Sequence, residues 1–208
     1  MKYRNENNSI DEVYCYPNGV LKNKLGIMDE DTLSKLEAEI TSINLASFLI
    51  NPVKGKLDFK HYKKIHKEIF GDIFVFAGKT RTVSMSKGTT AFCMWMYIDE
   101  QCEKTFESIK IEILENKRYK EIEKEEFIRL IVKYMTELNV IHPFREGNGR
   151  TLREYFRLLC LKCGYELNYA SSTKDEILEA DIASFQGNEE LILNLLNAFL
   201  KFLCLRSI

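Results

Sequence analysis

HPFREGNGR, residues 142–150, sets a histidine, an acid, two arginines and an asparagine between two glycines within nine residues. Gly147-Asn148-Gly149 lets the backbone reach positive φ and turn its amides inward, the geometry of an anion nest. A strongly apolar helical pattern begins just after it, near Arg150 or Thr151. The unpaired amides and partial positive charge of a helix N-terminus are therefore expected at the same point. Arg150 and Arg153 fall three apart on the first turn, and each can fork onto phosphate oxygens. Such a set suits a polyphosphate better than a lone carboxylate. Glu146 would repel phosphate unless a divalent cation lay between them, and Mg²⁺ commonly bridges one carboxylate to nucleotide phosphates. Asn148 has a side-chain amide to offer a phosphate oxygen. His142 has the intrinsic pKa of a general base near neutrality, and Phe144 is expected to plug the loop into the core. The bland reading is a Gly-Asn-Gly turn before a charged helix cap. Against it, burying this much charge in the middle of a core without a function is costly.

Outward from the loop the apolar spacing is helical. Phe127, Leu130, Ile131, Tyr134, Met135 and Leu138 line the preceding helix, and Thr151–Cys163 form the next, stopped by Gly164. Cys102, Phe106, Ile109 and Ile113 line another. Asp29 or Asp31 caps a helix to about Leu49, with Leu33, Leu36, Ile40 and Ile43 as its stripe. Phe59, Tyr62, Ile65 and Ile69 mark a helix near 58–70, and two more are expected near 173–184 and 188–205. Between 80 and 98 the pattern changes. TRTVSMS alternates, Lys87-Gly88-Thr89 punctuates, and AFCMWMYI returns, which predicts a short β-hairpin among helices. Residues 1–13 are polar and aperiodic and are expected to be disordered. An irregular arm with a turn at Pro17-Asn18-Gly19 follows, and 14–205 reads as a single domain. The predicted class is mainly α, a helical bundle carrying one hairpin.

Several function classes drop out. Thirty basic and 31 acidic residues give a net charge of −1, which argues against broad nucleic-acid binding. No apolar run approaches the roughly 18 residues of a membrane span, and the polar N-terminus has no signal-peptide core. The six cysteines (15, 93, 102, 160, 163 and 204) form no evident framework. The expected setting is therefore the cytoplasm, with reduced thiols. Cys160 and Cys163 lie in a helical pattern without a second ligand pair, so they read as buried thiols rather than a zinc site. Gly78-Lys79-Thr80 is not a P-loop, because the first glycine would have to stand at 73, which is Ile73. His61 and His66, five apart, do not share a helix face; one is expected exposed and the other packed or capping.

HPFREGNGRTLR, 142–153, matches every defined position of the Fic family motif, His-x-Phe-x-Asp/Glu-Gly-Asn-Gly-Arg-x-x-Arg. IHKEIFGDIFVFAGKTR (65–81) resembles the helix and turn before that family's hairpin flap, and SKGTTAF (86–92) resembles the flap itself. YPNGVLKNKLGI (16–27) is similar to the N-terminal arm of the Fic toxins and related bacterial effectors. The resemblance implies a helical Fic core and an adenylyltransferase. It would move AMP from ATP, with Mg²⁺, onto a Tyr, Thr or Ser hydroxyl of a target protein. By position His142 would be the base and Glu146 the Mg²⁺ ligand. Gly147, Asn148 and Gly149 would hold the α-phosphate, and Arg150 and Arg153 the outer phosphates. Lys87 and Gly88 of the flap, and Asn139 in the turn before His142, would complete the nucleotide site. The flap edge would pair with an extended target segment.

Doc relatives, which transfer phosphate, replace the second nest glycine with lysine; Gly149 here favours AMP transfer. Transfer of another nucleotide and a non-catalytic binding module stay open as alternatives. The family's inhibitory motif, Ser/Thr-x-x-x-Glu-Gly/Asn, is not matched: Ser172–Glu176 is followed by Ile177, and Ser108–Glu112 by Ile113. The chain therefore resembles the toxin class, whose inhibitor is a separate small antitoxin with a glutamate for Arg153. Toxin relatives suggest type II topoisomerase subunits as targets, and effector relatives suggest host small GTPases.

Overall fold

Seven α-helices and two small antiparallel ribbons make up the described part of the chain. The computed structural model describes residues 11–87, 90–115, 123–169, 172–185 and 187–202. The helices are α1 (Glu30–Ile50), α2 (Phe59–Phe70), α3 (Ile98–Ile109), α4 (Lys124–Ile141), α5 (Asn148–Lys162), α6 (Lys174–Phe185) and α7 (Glu190–Phe199). α4 and α5 run through the centre, with α2 and α3 on one side and α6 and α7 on the other. Local chemistry starts the first two. The Asp29 carboxylate accepts from Thr32 N at 2.8 Å and opens α1. Asp58 accepts from His61 N at 2.8 Å and opens α2. Burial holds the rest: Ile65, Ile69 and Phe70 on α2, Phe127, Val132 and Tyr134 on α4, and Tyr155, Phe156 and Leu159 on α5 are all fully inside. Among the described residues no helix is long and apolar enough to cross a membrane. The C-x-x-C thiols are buried in α5 and just past its end.

The mainly helical architecture with one hairpin is what the periodicity predicts, with four corrections. The hairpin is shorter than 80–98. β1 (Ser86–Lys87) pairs with β2 (Thr90–Ala91), and the apolar return then winds into a 3₁₀ turn, Trp95–Tyr97, that feeds α3. The last helix stops at Phe199, not 205. Leu200–Phe202 forms β4, antiparallel to β3 (Tyr165–Leu167), and Tyr165 and Leu167 bury their side chains. α1 does not bury the expected stripe: Ile43 is exposed, and the inward line runs Leu33, Glu37, Thr41, Asn44, Phe48. Its middle is polar because it faces the charged end of α5. Finally, residues 11–13 are not a disordered leader. They form a turn whose Asp11 is buried; residues 1–10 lie outside the described residues.

Candidate active site

α4 ends on His142, whose backbone enters the left-handed region (φ 51, ψ 62) while its N–H still bonds Leu138 O at 3.0 Å. A non-glycine residue held there costs on the order of 1 kcal/mol, so the surroundings must hold it. Its ring, 5% exposed, stacks on Phe92 with centroids 3.9 Å apart. Nδ1 lies 3.2 Å from Asn139 O. A carbonyl only accepts, so Nδ1 carries the proton and Nε2 the lone pair, which is the tautomer a general base needs. Asn139 thus serves His142 through its backbone.

The loop then folds around Phe144, which is fully buried against His66 (centroids 3.9 Å) and Tyr62 (5.4 Å). Gly147 sits at φ 81, and a Cβ there would lie 2.3 Å from ring carbons of Phe70, so only glycine fits. α5 begins at Asn148, so the amides of its first turn have no intrahelical acceptor and face the loop. Asn148 braces the loop. Its Oδ1 accepts from Phe144 N (2.9 Å) and its Nδ2 donates to Phe144 O (2.8 Å). Being 4% exposed, it shapes the loop through these two bonds.

Glu146 keeps one oxygen for the loop: Oε1 accepts from Gly147 N at 2.9 Å and stands 3.8 Å from Arg150 Nη2. Oε2 takes no hydrogen bond from the described residues, and the side chain is part-exposed. No group of three or more metal-type side chains is found among the described residues. One outward carboxylate oxygen without a cage fits Mg²⁺ that completes its shell with phosphate and water oxygens. The two arginines differ. Arg150 donates Nη2 to Glu37 and Nη1 to Thr41 Oγ1 (3.0 Å), with its guanidinium 4.6 Å from the centre of the Phe70 ring. Burial pushes the Glu37 carboxyl above the usual carboxylate range, and Arg150 pulls it back. Arg153, half-buried one turn on, has no hydrogen bond or ion pair with any described residue. Both near-matches to the inhibitory motif are engaged elsewhere. Glu176 caps α6 with Thr173, and Glu112 pairs with Lys133 at 3.0 Å. On the flap, Lys87 lies in β1 with its side chain outside the described residues, and Gly88 lies outside them altogether.

Three buried polar side chains to which residue patterns gave no part in the site hold this loop. Arg81, 1% exposed, donates Nε to His142 O (2.9 Å), Nη1 to Val83 O (2.5 Å), and Nη2 to Cys93 O (2.5 Å) and Ile141 O (3.3 Å). One guanidinium thereby ties both flanks of the flap to the base. Burial draws its pKa down to about 10.

Arg145, at an undefined motif position, pairs with Asp11 Oδ2 at 2.8 Å, both nearly buried. Asp11→Ala leaves that guanidinium buried without its carboxylate and is expected to cost about 3 kcal/mol. A urea midpoint unchanged in this variant would show the pair to be incidental.

His66 is the third. It is fully buried, and so is His61 at 5%, which corrects the expectation that one of the two is exposed. His66 Nδ1 accepts from Gly78 N (2.8 Å), so Nε2 carries the proton and donates to Glu146 O (2.9 Å). Gly78 of the Gly-Lys-Thr run thus serves a histidine, not a phosphate. The neutral ring is required, because a second proton on Nδ1 would face the Gly78 N–H. Desolvation lowers its pKa to about 4. The folded state therefore binds fewer protons than the unfolded chain between about pH 4 and 6.5. Stability is full above 6.5 and falls as pH drops towards 4, by about 3 kcal/mol from His66 alone. Urea titrations across that window in native protein and His66→Gln should show the native slope reduced in the variant.

Residues 56–160 match the model of the Fic/DOC family. VbhT of Bartonella schoenbuchensis, a protein adenylyltransferase, is 36% identical over 84% of this chain, which spans 36% of VbhT. The protein y4lH of Sinorhizobium fredii, which carries the name "probable protein adenylyltransferase", is 32% identical over 87% of this chain and 92% of its own length. Among solved structures, the N-terminal Fic domain of a VirB-translocated Bep effector of Bartonella quintana, with bound ADP, superposes at TM-score 0.82. It is 25% identical and covers 93% of this chain and 97% of that one.

Proposed function

Because the chain belongs to the Fic/DOC family, by the match over 56–160 and the likeness to y4lH, we propose that it transfers AMP from Mg-ATP to a hydroxyl of a protein. One observation carries the reading: His142, with Nδ1 bonded to Asn139 O, stands at the loop that leads into the open N-terminus of α5. A base and an anion site thus adjoin, as in-line attack on a phosphorus requires. The ADP bound to the Bartonella quintana relative supports a nucleotide as the ligand.

In this reading Nε2 of His142 removes the proton of the target hydroxyl as its oxygen attacks the α-phosphorus. The bond from that phosphorus to the α,β-bridging oxygen breaks, and pyrophosphate leaves. The first amides of α5 receive the charge that develops on the α-phosphate. Arg150, steadied by Glu37, and Arg153, which has no partner among the described residues, hold the outer phosphates. Mg²⁺ held through Glu146 would neutralise charge between the phosphates. Lys87 and Gly88 belong to the same nucleotide site by the family pattern. Gly149 favours AMP over phosphate transfer: a Cβ there would stand 3.2 Å from Arg153 Nη1, so a lysine would contest that arginine's place. Regulation in trans fits as well, since Arg153 has no carboxylate partner among the described residues and suits a glutamate supplied by a separate small antitoxin.

ATP labelled at the α-phosphorus, incubated with the protein and a bacterial lysate, should label protein, whereas ATP labelled at the γ-phosphorus should not. The reverse pattern would establish phosphotransfer instead.

A further inference from the structure

We propose that the exposed run Met94-Trp95-Met96-Tyr97 docks an apolar side chain of the protein substrate, on the same segment as the hydroxyl that receives AMP. This rests on the AMP-transfer reading and names what selects the acceptor.

The four side chains are 45%, 46%, 53% and 48% exposed, and the 3₁₀ turn they occupy buries none of its residues. A run of four large apolar residues left half in water is the kind of patch that marks a contact surface. The exposure is built, not frayed. Cys93 N donates to Val140 O at 3.2 Å, Cys93 O accepts from buried Arg81, and Ile98 just beyond is fully buried. Rigid backbone on both sides therefore holds the turn out.

Its place identifies the occupant. Phe92, two residues before Met94, stacks on the His142 ring. Val140, two residues before His142, is 38% exposed. The run thus begins two residues from the ring that stacks on the base, and Cys93 between them is bonded to Val140. The charged groups for phosphate, Glu146, Arg150 and Arg153, follow His142 in the loop and in α5. A triphosphate has no use for an apolar platform, but the segment bearing the acceptor hydroxyl does. Reach sets the register. Residues 92 to 95 span at most about 11 Å, and an extended peptide advances about 3.3 Å per residue. The apolar side chain thus lies within about three positions of the acceptor. Two flexible methionines beside an aromatic pair accept several shapes, so the selection is for apolar character rather than one residue type.

Trp95 is the chain's one tryptophan, so its emission reports directly on this surface. The probes are two nine-residue peptides with a central tyrosine and no tryptophan, one with leucines two and three positions from the tyrosine, the other with serines there. With the full chain and Mg-ATP, the leucine peptide should shift Trp95 emission to the blue saturably. It should accept AMP at least about tenfold more efficiently than the serine peptide. The double variant Met94→Ser/Met96→Ser keeps the reporter and should bring that ratio to near unity, with Mg-ATP affinity unchanged. Equal use of the two peptides by the native chain, or a ratio the variant leaves intact, overturns the proposal. So does emission that moves with protein concentration alone, which assigns the surface to a second copy. A blue shift without AMP transfer to either peptide upholds the platform and defeats the transfer reading. Neither shift nor transfer defeats the platform.

Discussion

His142→Ala is expected to lower AMP transfer by between about 10² and 10⁴-fold, the range that removal of a positioned general base spans. Affinity for Mg-ATP should stay near native, because the groups assigned to phosphate are the α5 amides, Arg150 and Arg153, and Arg150 is held in place by Glu37 and Thr41 rather than by the imidazole. The loop also keeps its anchors. Phe144 remains seated between His66 and Tyr62, and Arg81 still bonds the backbone carbonyl of residue 142. The alanine loses the Phe92 stack, which makes a modest loss of stability the accompanying cost. Single-turnover transfer from labelled ATP, beside calorimetric titration with a non-hydrolysable analogue, separates the two quantities. Native transfer rates in this variant would remove His142 from the chemistry. Transfer and Mg-ATP affinity lost together would place it in the nucleotide site instead.

Arg81→Met should produce the largest loss of stability from a single change in the loop's scaffold. Four carbonyls, of Val83, Cys93, Ile141 and His142, lose their donors. A buried acceptor left without a partner costs about 1–3 kcal/mol. Against this, methionine relieves the burial of a guanidinium that has no carboxylate within ion-pair distance among the described residues. A net loss of about 4 kcal/mol follows, a large share of the roughly 5–15 kcal/mol that stabilises a domain. Arg81→Lys keeps the charge but not the fork, and should fall between the two. The denaturant midpoint reads the stability. At denaturant-free conditions the surviving folded fraction should also transfer poorly, because the flap and the base are no longer held to each other. A midpoint within error of native would mean that water already satisfies those carbonyls.

The motif loop was legible because its residues are unusual together and its helix start is marked by glycine. The long helices were legible because α2, α4 and α5 bury a strict stripe. α1 was misread for a reason tied to the site: its inner line carries Glu37, Thr41 and Asn44, so the apolar residues Ile43 and Leu49 point outward to water. Apolar periodicity cannot reveal a helix that turns polar groups towards a charged neighbour. The β3–β4 ribbon escaped because three-residue strands leave too little pattern, and Leu200–Phe202 continues an apolar helix without a break in composition. Arg81 lay in an alternating stretch that reads as one edge of a hairpin, and nothing in TRTVSMS says that its arginine faces inward. His66 was placed on the correct helix, but its two bonds reach residues 12 and 80 positions away. Asn148 adds a part that its type does not announce: it also bonds both backbone groups of Phe144.

The pair between Asp11 and Arg145 joins residues 134 positions apart. Closing so long a stretch of chain carries an entropic cost that local contacts do not repay, and such closures come late in folding. During synthesis Asp11 leaves the ribosome long before Arg145 exists. The loop that carries His142 is therefore finished only after most of the chain has been made, and a nascent or truncated product is a poor catalyst. For an enzyme that modifies other proteins, the late closure of this one ion pair sets the making of the chain apart from the onset of its activity.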